Sequence, residues 1–135
     1  MSDKSEVFEI PIGTSKSHQV KVTRELTVAH IAPGMPEVYA TPMMIALMEI
    51  ASATAIQPLL PRGSISVGTE VNVRHLAATP VGCTVTASAA VVAVNGRMVT
   101  FAVKAHDGVE LIGEGMHSRA IVNLERFEAR LKQRA

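Results

Sequence analysis

The chain reads as an α+β fold in which a curved antiparallel β-sheet folds over one long central helix. Three observations predict this. Within TPMMIALMEIASATAIQPL (41–59), residues 43–56 are apolar or small on every side of a helical wheel, with Glu49 as the only charge, and a helix apolar all round must be covered all round. Nearly everything after Pro61 alternates apolar and polar residues, the period of half-buried strands. Asn95-Gly96 and Asp107-Gly108 punctuate that region with dipeptides that antiparallel hairpins favour.

Residues 1–17, a polar stretch around Pro11 and Gly13, are expected to form an irregular N-terminal arm. In Gln19–Val28, apolar residues at 20, 22, 26 and 28 predict a strand, and the two prolines and glycine of Ala29–Tyr39 predict a loop. Thr41 is a favoured N-cap, and Pro42 suits the first helical position because its missing N–H has no partner to lose there. Pro58, Pro61 and Gly63 end the helix.

Over Ser66–Leu76, strict alternation puts Val67, Thr69, Val71, Val73 and His75 on one face. The valines assign that face to the core, so His75 points inward at the end of its strand, where a cleft could open, and Arg74 points outward. After the turn AATPVG, Cys83–Val94 alternates with Cys83, Val85, Ala87, Ala89 and Val91 inward, and Val99, Phe101, Val103 and Ala105 line the return strand. Val109–Asn123 is a last strand loosened by Gly113 and Gly115, which predicts a bulge or a close approach by ligand or backbone. Leu124–Arg134 is a short, charged surface helix. The order is one strand, the long helix, then four strands as a meander. That is the hotdog architecture, a single domain over residues 1–135, whose open sheet edge is generally relieved by pairing into a homodimer or higher even oligomer.

Thirteen basic residues nearly cancel twelve acidic ones, so charge gives no case for nucleic acid. No Trp, one Tyr and three Phe offer no platform for stacking bases. The single Cys83 cannot form an internal disulfide and fits a reducing compartment. MSDKSEVFEIPIG has no apolar signal core, and the longest apolar stretch is interrupted by Glu49 and Pro58. A cytoplasmic protein with no membrane partner is the expectation. The histidines show no metal-ligand spacing with Cys83 or paired carboxylates, and no glycine-rich phosphate loop occurs, so neither metal nor cofactor is expected. Four of the seven methionines lie between Met35 and Met48, suited to filling a core and an adaptable pocket.

Glu49 is the misfit, because a carboxylate in apolar surroundings is seldom left unpaired. It either faces solvent or a subunit groove, or it is held desolvated for use as a general base. His75 is either a core histidine satisfied by a carbonyl or a member of the same site. Capping alone would explain Thr41. Thr41 and Glu49 are eight residues apart on one helix, roughly 12 Å along its axis. To act on one substrate atom they must flank it or come from different subunits. The free N–H groups at the helix start could stabilise an oxyanion.

The stretches PEVYAT, MEIASA, GTEVNVRHLAATPVG and KAHDGVELIGEGMHSRAIVNLERF resemble the fluoroacetyl-CoA thioesterase group of the hotdog superfamily, from about Val22 to the final helix. The resemblance implies an acyl-CoA thioesterase acting on a small or medium acyl-CoA. Thr41, Glu49 and His75 fall on its catalytic triad, and Gly68 and Arg119 on its substrate-binding positions. Whether water, Thr41 or Glu49 is the nucleophile stays open, and Arg119 with His117 could equally be a structural or interface pair. The family's fluoroacetyl-specific enzyme carries a longer, Phe-containing lid before the helix. Here HIAPGMPEVYAT has no Phe, so fluoroacetyl selectivity is not implied. The alternative is a non-catalytic hotdog module that binds acyl-CoA; a hydratase or dehydratase ranks below both.

Overall fold

Among the described residues, five strands form one sheet in the order β1-β3-β4-β5-β2, with every neighbouring pair antiparallel. They are β1 (Ser15–Lys21), β2 (Ser64–His75), β3 (Thr84–Asn95), β4 (Met98–His106) and β5 (Leu111–Asn123). A one-turn helix α1 (Val28–Ile31), the long helix α2 (Thr41–Ile56) and the terminal helix α3 (Leu124–Arg134) complete the fold. The computed structural model describes residues 8–135; the first part of the expected N-terminal arm lies outside the described residues.

The hotdog architecture is present, with α2 laid across the concave face of the sheet. Met44, Leu47, Met48, Ala51, Ala55 and Ile56 of α2 are buried with Val85, Val91, Phe101, Val103 and Ile112 of the strands. Full burial of one such large side chain is worth about 1.5–3 kcal/mol. The fully buried Ala87, Ala89 and Ala105 take little room on the strands beneath the helix.

The cover is not complete. Ala46, Glu49 and Ala53 keep part of their surface and Ile50 is 46 % exposed, because one five-stranded sheet wraps only part of a helix's circumference. Thr41–Leu59 is long and apolar enough to cross a membrane by length and composition, yet its buried side is occupied by this sheet.

The four-strand meander is corrected to three. β3, β4 and β5 are hairpin-connected, whereas β2 pairs with β5 on the far edge and β1 takes the place beside β3. Alternation marks each strand but carries no information about its neighbour. The first strand also lies earlier than Gln19–Val28. Ser15 and Lys16 pair with Ala90 and Ala89, so their extended state comes from the partner strand, while Arg24–Leu26 forms a 3₁₀ turn.

The β3–β4 hairpin closes one residue later than Asn95-Gly96. Asn95 pairs with Met98, leaving Gly96 and Arg97 at the tip with Gly96 at φ +61°, the position where a tight hairpin wants glycine. The β4–β5 connection is a longer loop over Asp107–Glu110, pinned by the Asp107 carboxylate, which accepts the N–H groups of Val109 and Glu110 at 3.0 Å each. The glycines of β5 accommodate close approach from within the protein. A Cβ on Gly113 would stand 2.5 Å from the Met44 sulfur, and one on Gly115 would run into the β2 backbone at Asn72 and Val73.

A bulge at Thr69 overturns the strict alternation of β2. Gly68 lies opposite Arg119 but Glu70 lies opposite Ser118, so the register slips by one residue. Ser64 and Ser66 are buried before the slip, and Val73 and His75 are half-buried after it, whereas Val71, also expected in the core, is 42 % exposed. The expected core positions of Val67 and Thr69 are therefore wrong, and that of His75 stands.

Candidate active site

The helix start is set by the backbone rather than by Thr41. Tyr39 N–H donates to the Thr79 carbonyl at 2.8 Å and Ala40 N–H to the Leu26 carbonyl at 2.9 Å. Ala40, with extended φ −77° and ψ 138°, is the residue at the cap, and Thr41 and Pro42 are the first two helical residues. This corrects the expected N-cap role of Thr41. Its hydroxyl is released from the backbone and lies 2.7 Å from His75 Nδ1.

The donors at this helix end are also fewer than expected. Met43 and Met44 N–H both donate to the Ala40 carbonyl, at 3.0 and 3.1 Å, and Pro42 has no N–H. Among the described residues, that leaves the Thr41 N–H as the first-turn amide without a backbone acceptor.

Burial holds the His75 imidazole below the usual histidine value, with the backbone at Ala77 acting in the opposite sense. The ring is therefore neutral at neutral pH and can take a proton. Its Nε2 is buried and meets no partner of good hydrogen-bond geometry among the described residues, so the weaker attraction of the Ala77 backbone offsets its burial only in part. Thr41 and His75 line a cavity of about 330 Å³ with Val38, Tyr39, Leu76 and Ala77. Tyr39, which sequence reasoning passed over, is 1 % exposed. Its hydroxyl donates to the Met43 carbonyl at 3.1 Å, and burial pushes its phenol up to about 12. Thr79, next in the chain after the lining residues Ala77 and Ala78, is buried and its hydroxyl donates to the Asp107 carboxylate at 2.9 Å.

Glu49 belongs to a second cluster. Its side chain is 40 % exposed, with Oε1 3.7 Å from Arg119 Nη1 and 3.9 Å from His117 Nε2. It is neither enclosed, as expected of a desolvated base, nor adrift in solvent. Gly68 is the floor of this cluster, since a Cβ there would come 2.5 Å from Glu49 Oε1. Arg119 is anchored by Ser66, donating from Nε to Oγ at 2.7 Å and from Nη2 to the carbonyl at 2.8 Å. His117 lies 3.2 Å from Arg119 Nη1.

The chain thus brings together two of the three expected catalytic residues, Thr41 and His75, and gathers Glu49 with Gly68 and Arg119 elsewhere. Within one chain Glu49 and His75 do not flank one cleft: the shallow depression at Glu49 is lined by Ala46, Ile50, Ala53 and Arg119. His117, considered earlier only as a companion of Arg119, is a full member of the Glu49 cluster. The signal was its i, i+2 spacing from Arg119, which puts both on one face of a strand. Among the described residues, no three His, Cys, Asp or Glu side chains are grouped to hold a metal ion.

Comparison with known proteins identifies the family. The family model for fluoroacetyl-CoA-specific thioesterases matches residues 22–125. A fluoroacetyl-CoA thioesterase of Streptantibioticus cattleyicolor is 43 % identical over 129 residues, covering 91 % of this chain and 93 % of that protein. A solved structure of a fluoroacetyl-CoA thioesterase superposes with a TM-score of 0.89 at 41 % identity, covering 94 % of this chain and 98 % of the other. A variant of that thioesterase in complex with acetyl-CoA gives a TM-score of 0.86 at 41 % identity, covering 93 % and 99 %. The chain belongs to the fluoroacetyl-CoA-specific thioesterase family.

Proposed function

We propose that this protein is an acyl-CoA thioesterase that hydrolyses a small or medium acyl-CoA to free acid and CoA, at a site completed by a second copy of the chain. The observation that carries the reading is the 2.7 Å contact between the Thr41 hydroxyl and His75 Nδ1 at the wall of an open cavity. His75 takes the proton of the attacking hydroxyl, from Thr41 itself or from a water beside it. The thioester carbonyl becomes a tetrahedral oxyanion, stabilised by the Thr41 N–H at the positive end of α2. Collapse breaks the C–S bond, and the imidazolium returns its proton to the departing CoA thiolate. If Thr41 attacked, water then hydrolyses the acyl-threonine by the same steps.

Glu49 and Arg119 enter from the partner copy. Thr41 and Glu49 lie roughly 12 Å apart along one helix, too far to share a substrate atom. The stripe Ala46, Glu49, Ile50 and Ala53 and the free edge of β2 are open surfaces that a twofold arrangement would cover. A homodimer, or a higher even oligomer built from it, is part of the reading, as is a cytoplasmic setting for the free Cys83.

Fluoroacetyl selectivity is not carried over from the relatives, because residues 30–41 contain no Phe and Met35 before the helix is 51 % exposed. One observation favours a non-catalytic acyl-CoA-binding module instead, the separation of Glu49 from His75 within one chain. A panel of acyl-CoA substrates, including fluoroacetyl-CoA, assayed by free-thiol release decides between them. Turnover that collapses in Glu49→Gln supports the enzyme. Tight binding without turnover overturns it, and a fully active Glu49→Gln removes Glu49 from the catalytic site.

A further inference from the structure

We infer that His117 is a positioning residue, a neutral relay of fixed tautomer that aims the Arg119 guanidinium at Glu49. The inference starts from the bulge in β2, beyond which the Glu70 carbonyl lies 2.7 Å from His117 Nδ1. A carbonyl can only accept, so Nδ1 carries the proton. On the other side of the ring, Nε2 stands 3.2 Å from Arg119 Nη1. A guanidinium can only donate, so Nε2 must accept with its lone pair. The two partners together allow one protonation state, the neutral Nδ1–H form.

The surroundings hold that state in place. His117 is 2 % exposed and its ring stacks on Phe101 of β4, with centroids 6.3 Å apart. The groups facing it are Arg119 on its own strand, Glu49 from α2 and the Glu70 carbonyl from β2. Burial lowers its affinity for a proton, the Glu70 carbonyl opposes this, Arg119 lowers it further and Glu49 raises it. Arg119 in turn spends Nε and Nη2 on Ser66, so His117 fixes the remaining arm, which lies 3.7 Å from Glu49 Oε1. The two inward histidines thus have opposite tasks. His75 offers a ring nitrogen to a hydroxyl at a cavity, and His117 has both nitrogens committed and cannot serve as a base.

The link to catalysis rests on the proposal that Glu49 and Arg119 serve the thioester site, whereas the tautomer does not. The experiment therefore has two arms. In ¹⁵N-histidine NMR of the full-length protein, His117 should display a protonated Nδ1 and an unprotonated Nε2 throughout about pH 6.5 to 8, a range in which an ordinary histidine near 6.5 still carries some charge at the lower end. An Nε2–H tautomer, or an imidazolium at pH 7, overturns the relay. In the second arm, His117→Phe keeps a ring but no acceptor, and His117→Gln keeps one donor and one acceptor. His117→Phe should lower kcat/KM about 10- to 100-fold through misplacement of a reacting group, and make the Arg119 Nη1–H groups exchange faster with solvent. His117→Gln should recover most of both. Equal loss in the two variants, or no loss in His117→Phe, overturns the positioning role. Should the wild type hydrolyse no thioester, the proposed function fails, while the NMR signals still decide the relay.

Discussion

The Thr41 hydroxyl and His75 Nδ1 lie 2.7 Å apart although 34 residues separate them in the chain. The contact exists because Ala40, tied to Leu26 and carrying the cap position, relieves Thr41 of capping. Thr41→Ala should therefore change unfolding free energy by less than about 0.5 kcal/mol, as exposed substitutions do, and not by the roughly 0.5–2 kcal/mol lost with a true N-cap. Hydrolysis should fall by about 10²- to 10⁴-fold if Thr41 takes part in proton transfer, with Thr41→Ser retaining part of it. Urea denaturation and thiol release measure the two effects separately.

A site shared between copies predicts complementation. Thr41→Ala and Glu49→Ala chains, each inactive alone, should regain activity after mixed refolding, because a heterodimer contains one intact site. Absence of recovery, with heterodimers verified by mass spectrometry, would place the whole site in one chain.

His75 and His117 both have proton affinities lowered chiefly by burial. For such groups the unfolded chain binds more protons than the native one between the lowered native value and the ordinary value of about 6.5. Stability should accordingly be greatest above about pH 6.5 and decline as pH falls through that window. Tm measured against pH should follow this slope, and His117→Gln should flatten it. The acid limb of kcat/KM should likewise have its midpoint below about 6.5, since His75 must be neutral to accept a proton.

Two glycines should respond oppositely to alanine. At Gly68 the added Cβ meets the end of the Glu49 side chain at 2.5 Å and the His117 ring at 3.3 Å; the flexible carboxylate can swing away and the ring need give only a few tenths of an ångström. Gly68→Ala should leave Tm nearly unchanged and reduce kcat/KM. At Gly115 the Cβ meets the β2 backbone, which cannot yield without breaking the ladder. Gly115→Ala should cost about 1–3 kcal/mol of stability, the range for overpacking, as read by denaturant midpoint.

The residues that were legible in the sequence were those whose signal is local. Alternation in Val85, Ala87, Ala89 and Val91 and in Val99, Phe101, Val103 and Ala105 located β3 and β4 and their inner faces, because side-chain period follows from backbone geometry alone. The apolar run around Met44, Met48 and Ile56, apolar on every side, located α2 by its length and by the Pro42, Pro58 and Gly63 that bound it. His75 came out inward because Val73, on its own side of the bulge, shares its face.

What depended on distant chain was not legible. Ser15 and Lys16 are strand residues only because β3 lies beside them, and Thr69 bulges only because β2 must keep register with β5. Glu49 attracted attention as a charge in apolar surroundings, but its partners His117 and Arg119 are 68 and 70 residues away in sequence.

By itself, the sequence determined the long apolar helix, the alternating strands and the residue types available for chemistry, since helix and strand periodicity and turn preference act between near neighbours. Only the tertiary structure decided that β2 crosses to the far edge, that Thr41 is freed from capping to meet His75, and that Glu49 joins His117 and Arg119 instead. Those outcomes turn on which strand lies beside which, and hydrogen-bond partners across a sheet are chosen by the packing of the whole fold.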